Sequence, residues 1–99
     1  MIPTDKLRQF ARTAAELRDQ QLAAGNDDQL TARTVLDALD APPEDIDFFA
    51  QEVPNLVPVL ARRGLVIIEH EPEPEKTDEA ADDYAFRLTA QGIFWARSG

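Results

Sequence analysis

Leu7, Phe10, Ala14 and Leu17 recur at spacings of three, four and three. That periodicity predicts a helix of about twenty residues with one apolar stripe, starting at Thr4 as N-cap and stopped by Gly25. The other face carries Lys6, Arg8, Arg12, Glu16, Arg18 and Asp19, a solvated surface unless a partner covers it. After a polar connection over 26–29, Thr31 can cap a second helix, with Leu30 and Val35 placed for a hydrophobic staple. Ala32, Val35, Leu36 and Leu39 form its inward side. Pro42 and Pro43 force Ala41 out of helical geometry, and Pro43, Glu44 and Asp45 suit the first turn of a third helix through preset φ and the helix dipole. Ile46, Phe49 and Val53 supply its apolar face. Pro54 is expected to interrupt or kink it, with Asn55 capping a continuation through Leu56, Val59 and Leu60 that Gly64 ends.

Leu65 to Ile68 form a short β-prone run, and Tyr84, Phe86 and Leu88 alternate with Ala85 and Arg87, so both segments predict strands of one hairpin. Between them the Glu71-Pro72-Glu73-Pro74-Glu75 stretch and the polar tract behind it predict an extended, flexible acidic loop over 70–83. Thr89 can cap a last helix from Ala90 to Ala96, with Ile93 and either Phe94 or Trp95 turned to the core. A mainly helical α+β domain spanning 1–99 follows, with an N-terminal helix over 1–25 and a core over 30–95.

Charge changes this picture more than length does. The formal charge of −9 is unevenly spread: +1 over 1–24, −12 over 27–83 and +2 over 84–99. Such acidity opposes phosphate backbones and anionic lipid surfaces. Few lysines and many aspartates also suit solubility in high salt. No apolar run reaches the ~18 residues of a membrane span, and the first residues lack a signal peptide's basic and apolar regions, so a cytoplasmic location is the default expectation. The absence of cysteine excludes disulfides and thiolate metal sites.

The segment Leu60-Ala61-Arg62-Arg63-Gly64-Leu65-Val66 resembles the end of the recognition helix and first wing strand of MarR-like and PadR-like regulators, and Tyr84-Ala85-Phe86-Arg87-Leu88-Thr89-Ala90-Gln91-Gly92 resembles their second wing strand and following turn. The resemblance implies a winged helix over about 30–95: three to four helices, a two-stranded β-hairpin wing and a short C-terminal helix. It also implies pairing into symmetric homodimers through terminal helices, which would set Phe10 of helix 1 near the two-fold axis. The family's DNA mode needs cations and hydrogen-bonding groups on the third helix and the wing. Here the third helix offers Glu44, Asp45, Asp47 and Glu52, and the wing from Glu69 to Asp83 carries eight acids.

Parts for catalysis are scarce. The one histidine, His70, and the one serine, Ser98, fall at the hairpin and at the chain's end; the alternating glutamates lack calcium-loop spacing, and the glycines stand too far apart for a phosphate loop. We therefore expect no catalytic, metal or cofactor site. The leading expectation is a non-enzymatic interaction module that meets a protein partner, possessing a basic surface, through Phe10, Asp45, Asp47, Phe48, Glu52 and Trp95. Adjacent aromatics on a helix point about 100° apart, so one apolar stripe buries only one of Phe48 and Phe49 well. Phe48 then either packs under helix 1 or the wing, the reading preferred, or stands out as an interaction anchor, and the same question arises for Phe94 and Trp95. The alternatives are a small dimeric DNA-binding regulator using Arg33, Asn55, Arg62 and Arg63, and a DNA mimic whose spaced carboxylates occupy a nucleic-acid-binding groove.

Overall fold

The computed structural model describes residues 2–71 and 84–98. The expected acidic loop over 70–83 falls, from 72 onward, outside them. Among the described residues there are four helices, α1 (Thr4–Ala23), α2 (Ala32–Ala38), α3 (Pro43–Arg62) and α4 (Ala90–Arg97). Three strands, β1 (Leu30–Thr31), β2 (Val66–His70) and β3 (Ala85–Leu88), form an antiparallel sheet in the order β1-β3-β2. The protein is thus α+β, and no described helix is long and apolar enough to cross a membrane.

Local chemistry explains most boundaries. Gly25 and Gly64 take φ of 86° and 75°, the left-handed region that costs glycine little. Each closes a Schellman turn: Gly25 N–H donates to Leu22 O and Asn26 N–H to Gln21 O, and Gly64 N–H donates to Ala61 O and Leu65 N–H to Leu60 O. The expected caps at Thr31 and Thr89 are present, Thr31 Oγ1 accepting from Thr34 N–H at 3.2 Å and Thr89 Oγ1 from Gly92 N–H at 2.9 Å. Thr4 is the first helical residue and not the cap; Pro3 holds the N-cap position of α1 without a side-chain bond.

Three further expectations are corrected. The third helix runs unbroken through Pro54 and Pro58 to Arg62. The hairpin sheet gains β1 as a third strand, with Leu30 opposite Phe86 and Thr31 opposite Ala85. Strand β2 extends to His70, which pairs with Ala85 beyond an irregularity after Ile68.

The core lies between α1, α3 and the sheet, where Phe10 fills the space between Phe49 and Phe86 at ring separations of 6.3 and 6.0 Å. Val35, Leu36, Val53, Leu56, Val57 and Leu60 are buried around it. On α1 the buried set is Leu7, Phe10, Ala11, Ala14 and Ala15, wider than the expected stripe, because α4 packs along the same helix. Small residues at 11 and 15 let the two helices approach. Thr89 ties α4 to the end of α3, since its hydroxyl also donates to Gly64 O at 2.7 Å. Thr89→Ala is expected to cost about 1–2 kcal/mol, with Thr89→Ser recovering most of it, as measured by urea unfolding.

Candidate interaction surface

The outer side of α3 follows from its amphipathic pattern. Once Phe49, Val53, Leu56, Val57 and Leu60 are turned inward, Glu44, Asp47, Gln51, Asn55 and Arg62 are left exposed, with Asp45 and Glu52 half-buried beside them. Asp45 meets Lys6 of α1 at 3.3 Å, a partly exposed pair that also sets the ammonium 5.8 Å from the Phe49 ring. Such pairs contribute little stability. Glu52 accepts from Asn55 Nδ2 at 3.3 Å. Net charge on the first three turns of α3 is negative, and its arginines come only at the far end, Arg62 in the last turn and Arg63 as C-cap. Both are placed to interact with the helix dipole.

Ile2, Leu7, Glu52, Asn55, Val59 and Arg63 line a shallow groove of about 400 Å³ between the start of α1 and α3. Positions 52, 55, 59 and 63 fall on one helical face, so the groove has an apolar middle with a carboxylate toward one end and a guanidinium at the other. Arg33, on the first turn of α2, is exposed and stands apart from this groove.

The aromatics separate sharply. Phe10 has no exposed surface, so it belongs to the core and cannot meet a partner or sit on a dimer axis while the fold is intact. Phe48 is half-buried, edge-on to Phe49 at 5.8 Å. Trp95 is half-buried with the Arg8 guanidinium 4.7 Å from its ring centroid. Phe94, its neighbour, is 76% exposed. The face of α1 expected to lie in solvent is partly covered by α4 instead: besides the Arg8–Trp95 contact, Arg12 Nε donates to Ala96 O at 3.3 Å and Arg97 bridges to Asp19.

One cluster escaped the sequence reading altogether. Arg87 of β3 donates to Glu69 at 2.6 Å and to Asp28 at 2.9 Å, while Gln29 Nε2 donates to Glu69 at 3.1 Å. The hydrogen bond to Glu69, then the charges of Glu69 and Asp28, raise the Arg87 pKa above its ordinary value, so it stays cationic. Its alternation in the strand gave the outward direction, but nothing in sequence spacing links residues 28, 69 and 87. His70 stands exposed at the end of β2 and Ser98 Oγ donates to Trp95 O at 3.1 Å, so the two occupy different elements. Among the described residues no three His, Cys, Asp or Glu side chains gather closely enough to hold a metal ion. Comparison of the chain with protein-family models, curated proteins and solved structures finds no match.

Proposed function

We propose that this chain is a non-enzymatic winged-helix interaction module that meets a protein partner with the acidic outer side of α3 and does not insert that helix into duplex DNA. The order helix, strand, helix, helix, strand, strand, with the short first strand beside the last, supports the winged-helix reading. The observation that carries the functional reading is the charge on α3. A recognition helix gains affinity by neutralising phosphates and releasing counterions. Here Glu44 and Asp47 occupy the exposed leading turns, and the cations Arg62 and Arg63 lie about four turns away. A basic protein surface is the complementary partner. The regulator reading keeps one supporting observation, that Asn55 and Arg63 share a groove.

Fluorescence anisotropy tests both. Random-sequence duplex DNA is expected to show no binding at about 150 mM salt. A labelled oligo-arginine peptide is expected to bind at low salt and to lose affinity in the Glu44→Lys/Asp47→Lys variant. An Asp37→Lys/Asp40→Lys control on and just after α2 changes the same net charge elsewhere and should lose much less. Equal losses would remove the special role of α3, and micromolar duplex binding that falls steeply with salt would replace the module with the regulator.

A further inference from the structure

On the outward side of α4 Phe94 points away from the protein, while its neighbours Ile93 and Trp95 are half-buried against the core. Gly92 and Ala96 are buried against Leu65 and α1, which leaves Ala90, Ile93, Phe94, Arg97 and Ser98 lining a shallow depression of about 310 Å³. Positions 90, 93, 94 and 97 are the i, i+3, i+4, i+7 set that forms one helical stripe. Phe94 is the most exposed large hydrophobic among the described residues, ahead of Ile67 at 59% and Leu22 at 44%. The sole ionisable side chain in the depression is Arg97, whose bridge to Asp19 is about half exposed at both ends. From Tyr84 to Ser98 there is no acidic residue, whereas 27–83 carries sixteen.

We propose that this face is a second docking surface, for an amphipathic helical peptide segment of a partner protein that sets its apolar side chains on Ile93 and Phe94 and a carboxylate against Arg97. Charge complementarity selects that occupant, since the one charge lining this mainly apolar surface is the Arg97 guanidinium, whose N–H groups can donate to a further carboxylate beside Asp19. A second copy of this chain fits worse. A standard interface needs about 800 Å² from each partner. Helix α4 is only about 12 Å long, and two chains each of charge −9 repel. The surface is distinct from α3, so the proposal does not rest on the reading given above.

The test is titration of the 15N-labelled full chain with a hydrocarbon-stapled helical peptide carrying Leu and Phe at i, i+3, i+4 and i+7, flanked by glutamates, against the same peptide flanked by lysines. The glutamate peptide is expected to shift amides within 90–98 and to bind at least about fivefold more tightly than the lysine peptide. Phe94→Ser should weaken binding about tenfold and leave the melt of this exposed position unchanged, while Arg97→Gln should remove the preference for glutamate. Shifts confined to α3, equal affinity for the two peptides, or an unchanged affinity in Phe94→Ser would overturn the proposal. So would two alternatives: retention on phosphatidylglycerol vesicles without peptide binding, or a dimer by sedimentation that Phe94→Ser dissociates. The α3 double-lysine variant should bind the glutamate peptide at least as well as the wild type, which keeps failure of one surface separate from failure of the other.

Discussion

Replacing Phe10 by alanine is expected to remove about 3–5 kcal/mol of stability, and replacing it by aspartate to abolish cooperative unfolding. The ring is fully enclosed and touches both Phe49 of α3 and Phe86 of the central strand, so its loss opens a cavity where helix and sheet meet. A domain of this size has only about 5–15 kcal/mol in total. An aspartate there would carry an uncompensated charge into that space. Urea unfolding followed by circular dichroism measures the first variant, and the thermal melt tests the second. A Phe10→Asp protein that still melted cooperatively would restore the expectation that this ring faces a symmetric partner.

Gly92→Ala should destabilise by roughly 1–3 kcal/mol or more, against the usual sign of that substitution. In an exposed helix interior, alanine in place of glycine gains about 1 kcal/mol. A Cβ at position 92, however, would lie 1.9 Å from Leu65 O and 2.8 Å from Leu65 C, backbone atoms held in place by the bond from Thr89 N–H to that same oxygen. The helix must therefore lift off the end of α3. Trp95 sits on this helix, so its fluorescence should report the displacement alongside the urea midpoint. Gly25→Ala provides the comparison: nothing lies within 4 Å of its added carbon, and only the positive φ costs, about 1–2 kcal/mol. A stabilised Gly92→Ala variant would show that α4 does not dock as described.

What could be read in advance was local. Thr31, Thr89, Gly25 and Gly64 act within a few residues of themselves, so their roles at helix ends needed no tertiary knowledge. The continuity of α3 was not legible, because a proline deletes a backbone donor whatever the rest of the protein does. Pro54 is exposed and Pro58 half-buried, which leaves carbonyls near the water side, while Val53, Leu56, Val57 and Leu60 hold the opposite face in the core. Strand β1 has two residues and hence no periodicity to detect. Phe10 was assigned to the helix stripe correctly but to the wrong neighbour, since a stripe says that something covers it and not what. Ala11 and Ala15 lie outside the expected stripe, and α4, which packs along α1, comes from the far end of the sequence. The acidity of α3 and the divergence of the two rings in each aromatic pair were available from sequence, and Phe48 packs half-buried on the core as the preferred reading had it; that Phe94 is the exposed ring, with Arg97 beside it, was not.

The pairing of Leu30 with Phe86 and the seating of α4 along α1 bear on the order in which this chain can acquire structure during synthesis. Helix α1 is made well before β3 and α4, so the part of its apolar side that packs on Phe86 and along α4 stays uncovered until those segments follow. Such distant closures slow folding and lengthen the interval in which the nascent chain is open to misassociation. A chain stopped short of β3 would keep that part of α1 open to water and to other chains.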